Sequence, residues 1–302
     1  MSIGFLLATV CSVGWSVADA MRKGLANQMQ PLQLAVLLAG FQLLMGVCIA
    51  PILISFTELG GWSTIHIEAG YWPYALTTYA FTAAGHLYFF KALRASDLSL
   101  TIPFLSFSPV FVLGLGILLL NEWPATLALL GIVAITGGTF WLNRASKPKS
   151  SSVHTEDQAQ SYKRGRFAML VTAGCWSVAI VFDKAALAYT TPLTHLLGLL
   201  AATFILLSLF GRRDLATSVM AVTKTHGGRL LLVALLMMAA LGLQLAAYAY
   251  WNIAYVEAIK RAIGLLSSLA LGVLFFKETD PLRRLPAVLV LAIGSTLVIL
   301  GS

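Results

Sequence analysis

"WSVADAMRK" at residues 15–23 returns as "WSVAIVFDK" at 176–184: Trp, Ser, Val, Ala and the closing Lys recur at an offset of 161. A second echo joins "LGLGILLLNE", 113–122, to "LALGVLFFKE", 269–278, at an offset of 156. Two echoes at nearly one period mark a duplicated chain, and loops absorb the difference between the offsets. Between the copies lies the longest polar stretch, "RASKPKSSSVHTEDQAQSYKRGR" at 144–166, which reads as a flexible linker. The expected organisation is a first repeat over 1–143, the linker over 144–166 and a second repeat over 167–302.

Of the 302 residues, 59% are hydrophobic and only 11% charged, where soluble domains carry about 25% charged residues. Ten runs free of Asp, Glu, Lys and Arg divide five and five around the linker. A helix needs about 20 apolar residues to cross the hydrocarbon core, so the fold class is an all-α polytopic membrane protein with ten transmembrane helices. The two shortest runs, 167–182 and 262–276, span only by taking in neighbouring charges: Asp183 and Lys184 in one, Lys260 and Arg261 in the other. Five helices per copy is an odd number, so the second copy enters the membrane from the opposite side, giving two inverted five-helix repeats.

A net charge of +8 would suggest nucleic acid in a soluble protein. Here the cations lie between apolar runs, so the expected partners are the lipid bilayer and a small-molecule substrate, with no nucleic acid. Of the 20 Lys and Arg, all but Lys184, Lys260 and Arg261 fall in connections after the odd-numbered helices. The positive-inside rule then puts the linker in the cytoplasm and both termini outside a plasma membrane. The first run precedes Arg22 and Lys23, the reverse of a secretory leader, and is expected to be retained. Cys11, Cys48 and Cys175 have no metal-ligand spacing, and neither a metal nor a cofactor is expected. There is no Walker glycine loop, no H-E-x-x-H and no G-x-S-x-G pattern, and His66, His86, His154, His195 and His226 are scattered. ATP-driven pumping and enzymatic chemistry are therefore not expected. An intramembrane lipid-modifying enzyme and a non-transporting scaffold stand as remote alternatives, and a homodimer as a further assembly.

Lys260 and Arg261 are the anomaly. A central Lys or Arg costs about 2.5–3.5 kcal/mol on insertion, so two would cancel the gain of the apolar residues that follow them. Three readings stand: both side chains snorkel to the headgroups, they form an anion-attracting cavity mouth with Lys184, or they pair internally with Glu257 or Asp183. In the second reading Arg261 offers a planar fork and the two lysines compact charges. Trp15 and Trp176, repeat-related and mid-span, read either as walls of a central cavity or as helix packing. Tyr248 belongs to an aromatic stretch with Tyr250, Trp251 and Tyr255 on the eighth helix, with the same two readings. His86 is a polar substrate contact, a proton relay or a structural histidine. Asp19, which has Ile180 as its repeat counterpart, is either an interfacial partner of Arg22 or Lys23 or a coupling group. Glu122 and Glu278 read as interfacial helix ends.

Two five-helix halves, a polar linker and fourth helices that each close on a glutamate resemble the EamA branch of the drug/metabolite transporter superfamily. "SPVFVLGLGILLLNE", 108–122, is similar to that family's proline, glycine-containing helix and closing glutamate. The second half departs from it: Leu265 stands where Pro109 would repeat, and Lys260 and Arg261 replace Phe104 and Leu105. The resemblance implies a secondary transporter with a central cavity and alternating access, exporting or exchanging a small polar or anionic metabolite. Efflux of amino acids or amphipathic drugs by the same fold is the alternative. More narrowly, "AIKRAIGLLSSLALG", 258–272, looks like the ninth helix of plastid phosphate translocators. That likeness implies a phosphate grip by Lys260 and Arg261, joined by Lys184 on the sixth helix.

Overall fold

The computed structural model describes residues 3–26, 28–55, 64–95, 102–145, 156–210, 215–276 and 285–301. Apolar runs without interior breakers become helices, and ten α-helices lie among these residues. The first half holds α1 (Ile3–Ala26), α2 (Pro31–Ser55), α3 (Tyr71–Ala95), α4 (Ser108–Leu120) and α5 (Thr126–Ala145). The second holds α6 (Glu156–Ala186), α7 (Pro192–Leu209), α8 (Leu215–Tyr250), α9 (Ile253–Phe276) and α10 (Leu285–Leu300). Among the described residues five stretches are long and apolar enough to cross a membrane, in α1, α2, α6, α7 and α8. This is a multi-pass membrane protein, and side chains such as Leu118 and Val133 are exposed where a lipid-facing surface requires it.

Packing follows the two halves. Among the described residues α3 lies along α6, α1 along α8, α5 along α10 and α2 along α7, while α1 also meets α9 and α4 meets α6. Exchanging the halves maps each of these pairings onto another of the set or onto itself, as a duplicated chain requires. In the α5–α10 pairing the backbones touch: a Cβ added at Gly131 would sit 2.6 Å from the Gly294 carbonyl, and one at Gly294 would sit 2.9 Å from that of Gly131. Small residues permit this approach, which supplies contact energy where lipid removes the hydrophobic driving force between helices.

Two elements differ from the sequence expectation. The stretch 144–166 is not linker throughout: α5 runs to Ala145, and α6 begins at Glu156, three turns before the apolar run. Tertiary contacts hold that extension, since Ser161 Oγ donates to the Ala95 carbonyl at 2.6 Å and Arg166 stacks over Tyr162 and Phe104. The fourth helices also diverge. Pro109 stands in the first turn of α4, behind a 3-10 turn over Ile102–Phe107, whereas α9 has no proline and continues back to Ile253. Lys260 and Arg261 therefore lie two turns inside a regular helix. Trp251 falls at the break between α8 and α9 and Tyr255 on α9, so the four-residue aromatic stretch is not one helix face. Glu278 lies outside the described residues.

Candidate functional site

A cavity of about 280 Å3 opens between the halves, walled by side chains of α1, α2, α3, α6, α7, α8 and α9 with one from α5 and one from the 3-10 turn. At one end are Asp19 and Arg22, three residues apart on α1 and paired at 2.6 Å. Asp19 is exposed, while Arg22 is buried with its guanidinium over the Phe89 ring. At mid-depth stand Trp15 of α1 and Trp176 of α6, the repeat-related tryptophans. His86 packs edge-on against Trp176, and its Nδ1 lies 2.8 Å from the Thr82 carbonyl one turn back on α3. Trp15, Trp176, His86 and Asp19 all line the cavity, and so do Lys260 and Arg261.

The three cations do not converge. Lys260 donates to Glu257, one turn earlier on α9, and to Gln244 Oε1 at 3.0 Å. Glu257 is fully buried and also accepts from the Tyr248 hydroxyl at 2.7 Å, and Gln244 Oε1 takes a bond from Trp15 Nε1 at 2.9 Å. This network neutralises Lys260 inside the protein, which is the internal pairing among the three readings and removes any need to snorkel. Tyr248 is buried within the network and does not line the cavity.

Lys184 is also absent from the lining. It pairs with Glu122 at 3.0 Å and donates to the Trp251 carbonyl at 2.9 Å. The other oxygen of Glu122 accepts from the Ile253 amide at 3.1 Å, capping the first turn of α9. Glu122 is thus no interfacial end: Asn121, at φ 55°, turns the chain so that the carboxylate reaches across to α6 and α9. Arg261 differs from both lysines. Among the described residues it has no ion pair and no hydrogen bond, and its Nε is buried without a partner. A guanidinium cannot shed its charge, so Arg261 presents a cation on the cavity wall with no direct partner among the described residues.

A second cluster closes the other end, and the sequence reading did not assemble it. Asp183 lines the cavity; His195 Nε2 lies 2.9 Å from its Oδ1, and the Thr78 hydroxyl donates to the same oxygen. His195 Nδ1 lies 2.9 Å from the Tyr71 hydroxyl, which lies 2.6 Å from that of Tyr79. Beyond the cluster, residues 64–68 are strapped to the α6–α7 hairpin. The Glu68 amide donates to the Tyr189 carbonyl, Ile67 bridges Thr190, and Thr191 and Thr194 hydroxyls reach the Thr64 carbonyl. No grouping of three or more His, Cys, Asp or Glu side chains suited to a metal occurs among the described residues.

Residues 2–144 match the model of the EamA-like transporter family. Among curated proteins none matches the sequence. A solved crystal structure superposes on 99% of this chain and 96% of its own length with a TM-score of 0.69 and 16% sequence identity. At that identity the likeness carries the fold.

Proposed function

We propose that this chain, whose residues 2–144 belong to the EamA-like transporter family, is a secondary transporter that moves a small anionic metabolite by alternating access. A transporter of this type works in a lipid bilayer on a small-molecule substrate. The finer reading is that ten spans form two inverted five-helix halves around the cavity, in a plasma membrane with the 144–166 side cytoplasmic. The exchange symmetry of the helix pairings and the placement of the basic residues support it. In this arrangement the cavity reaches solvent beside Asp19 and is shut at the Asp183 end by the strap and by the Glu122, Lys184 and Trp251 contacts.

The observation that carries the substrate class is Arg261: it lines the cavity with no ion pair among the described residues, and a carboxylate or phosphate fits its fork in two parallel hydrogen bonds. Lys260 stays paired and holds the helix, so the grip differs from a phosphate held by three cations. Trp15 and Trp176 supply flat walls for the apolar part of such a ligand. A second reading, export of an amino acid, rests on Asp183 sharing the cavity with Arg261 and so offering both signs to a zwitterion.

Thermal shift of the detergent-purified protein tests both readings against succinate, inorganic phosphate, sugar phosphates and amino acids. The expected result is stabilisation by anions that is absent in Arg261→Ala and retained in Lys184→Ala. Equal stabilisation of wild type and Arg261→Ala by the same anions would sink the assignment. Stabilisation by amino acids alone would select the second reading.

A further inference from the structure

The cluster at the closed end holds polar chemistry beyond what anion recognition requires. Asp183 is buried, His195 and Tyr71 are almost wholly so, and Tyr79 is buried beside them. Burying a carboxylate and an imidazole together costs several kcal/mol unless every lone pair and proton is matched. Here the partners form a line: Asp183 to His195 to Tyr71 to Tyr79, with Thr78 also on the carboxylate oxygen that faces His195. Each link beyond His195 joins two groups that can serve as donor or acceptor. With His195 neutral, its Nε2–H donates to Asp183, Nδ1 accepts from Tyr71, and Tyr71 accepts from Tyr79. With one proton added, Nδ1–H donates to Tyr71, whose hydroxyl turns to donate to Tyr79. The heavy atoms keep their places, and the line of bonds reverses.

We propose that the Asp183–His195 pair, continued through Tyr71 and Tyr79, is a proton-binding site that couples proton movement to the transport of an anion through the adjoining cavity. The proposal rests on the anion-transport reading for its coupling, not for the proton site itself. Histidine changes charge between about pH 5 and pH 8, the range across which a proton gradient works. Taking up one proton moves the pair's charge from −1 to 0. Asp183 faces the same cavity as Arg261, so neutralising the pair leaves that positive charge unopposed by it, and proton and anion each strengthen binding of the other.

Neighbouring charges already have partners: on the strap, His66 Nε2 lies 3.4 Å from Glu68. Lys184 is held by Glu122, and Lys260 and Tyr248 by Glu257. On α1, Asp19 and Arg22 compensate each other at the opposite end. On α3, Tyr71 and Tyr79 belong to the line, and His86 is committed to the Thr82 carbonyl. From α2 the titratable side chain is Cys48, which is exposed away from the cavity. Asp19, the coupling group the sequence offered, already has a partner and water.

Two measurements on the full-length protein test the proposal. In the first, 15N-histidine NMR in detergent follows the imidazoles from pH 8 to pH 5 with no ligand present. His195 is expected to gain a proton on Nδ1, and its signals are expected to respond differently to pH in Asp183→Asn and in Tyr71→Phe. Tyr71→Phe removes one oxygen and keeps the ring, so it reports even if Asp183→Asn fails to fold. A His195 that keeps one tautomer unchanged throughout overturns the proposal, as a purely structural hydrogen-bonded histidine would. In the second, proteoliposomes loaded with pyranine receive an inward gradient of succinate or inorganic phosphate. The expected result is internal acidification in step with anion entry, cut at least tenfold in His195→Gln while labelled anion still exchanges. Acidification that is unchanged in both His195→Gln and Asp183→Asn overturns the coupling. If no anion moves but His195 titrates in step with Asp183, the transport reading fails and the proton site stands.

Discussion

The two copies of the Trp-Ser-Val-Ala helix, α1 and α6, do the same work along most of their length and opposite work at one end. Trp15 and Trp176 both face the cavity, and Ser16 and Ser177 each bond back to the carbonyl four residues earlier while reaching the fourth helix of the other half. Seven residues beyond each Trp the charge inverts: Arg22 in α1, Asp183 in α6. Arg22 is answered within its own helix by Asp19, which solvent reaches. Asp183 is answered from two other helices, by His195 and Thr78, away from water. The two helices keep a common frame, and the chemistry lies where they disagree. The same holds for the fourth helices, where loss of the proline let α9 run straight and carry Lys260 and Arg261 to cavity depth while α4 begins behind a 3-10 turn.

The sharpest way to break this comparison is to remove each acid. Asp183→Ala strands a buried imidazole N–H and opens a small void, and is expected to cost about 2–4 kcal/mol. Asp19→Ala leaves Arg22 its aromatic face and nearby water, and is expected to cost about 1 kcal/mol or less. Thermal melting of the two variants in one detergent checks the order. A larger loss in Asp19→Ala would mean that the two ends are not divided into a wet gate and a dry one.

That division shows which parts of the molecule the sequence made legible. Ten helices could be read because apolar run length is a one-dimensional signal. The Asp183–His195 pair had a signal too: Asp183 lies three residues before the end of α6 and His195 three after the start of α7, so the hairpin sets them at one depth. Two ionisable residues equidistant from a turn in apolar helices should meet. Lys184 was grouped with the α9 cations by its charge and side, yet one residue further along a helix turns about 100°, and that rotation aims it at Glu122 instead of the cavity. Glu122 itself read as a helix end because its reach depends on how α4 packs against α6 and α9, which no spacing encodes. Composition showed the surplus of cations; only the packing shows that, of Lys184, Lys260 and Arg261, the last has no ion pair among the described residues.

The interfaces beside the repeat helices offer a second contrast. Gly85 of α3 lies against the Trp176 indole so closely that an added Cβ would overlap Cδ1 and Nε1, whereas one at Gly14 of α1 would meet the Ala240 Cβ at 3.2 Å. Gly85→Ala must push a large ring out of the cavity wall and is expected to cost about 1–3 kcal/mol. Gly14→Ala needs a shift of a few tenths of an ångström and is expected to stay within about 1 kcal/mol. Because Trp176 lines the cavity, Gly85→Ala should also weaken anion stabilisation in the thermal-shift screen, while Gly14→Ala leaves it intact. If the two alanines melt alike, the α3–α6 contact gives way as readily as its α1–α8 counterpart, against the geometry.

The smallest effect tests the likeness of the copies. Ser16 Oγ lies 2.9 Å from the Ser12 carbonyl and 3.3 Å from that of Gly264; Ser177 Oγ lies 2.6 Å from the Ala173 carbonyl and 3.4 Å from that of Ser108. These carbonyls remain in helices, so removing either hydroxyl is expected to cost only about 0.5–1 kcal/mol. The informative quantity is the difference. Equal melting shifts for Ser16→Ala and Ser177→Ala, adding within about 0.5 kcal/mol in the double variant, would mean that each half grips the other's fourth helix by an independent and equivalent contact. An excess for Ser177→Ala would instead tie it to the hydroxyl of Ser108, 3.2 Å away, which Gly264 on the other side cannot supply. The asymmetry of the fourth helices would then extend into the serine contacts that the two helices share.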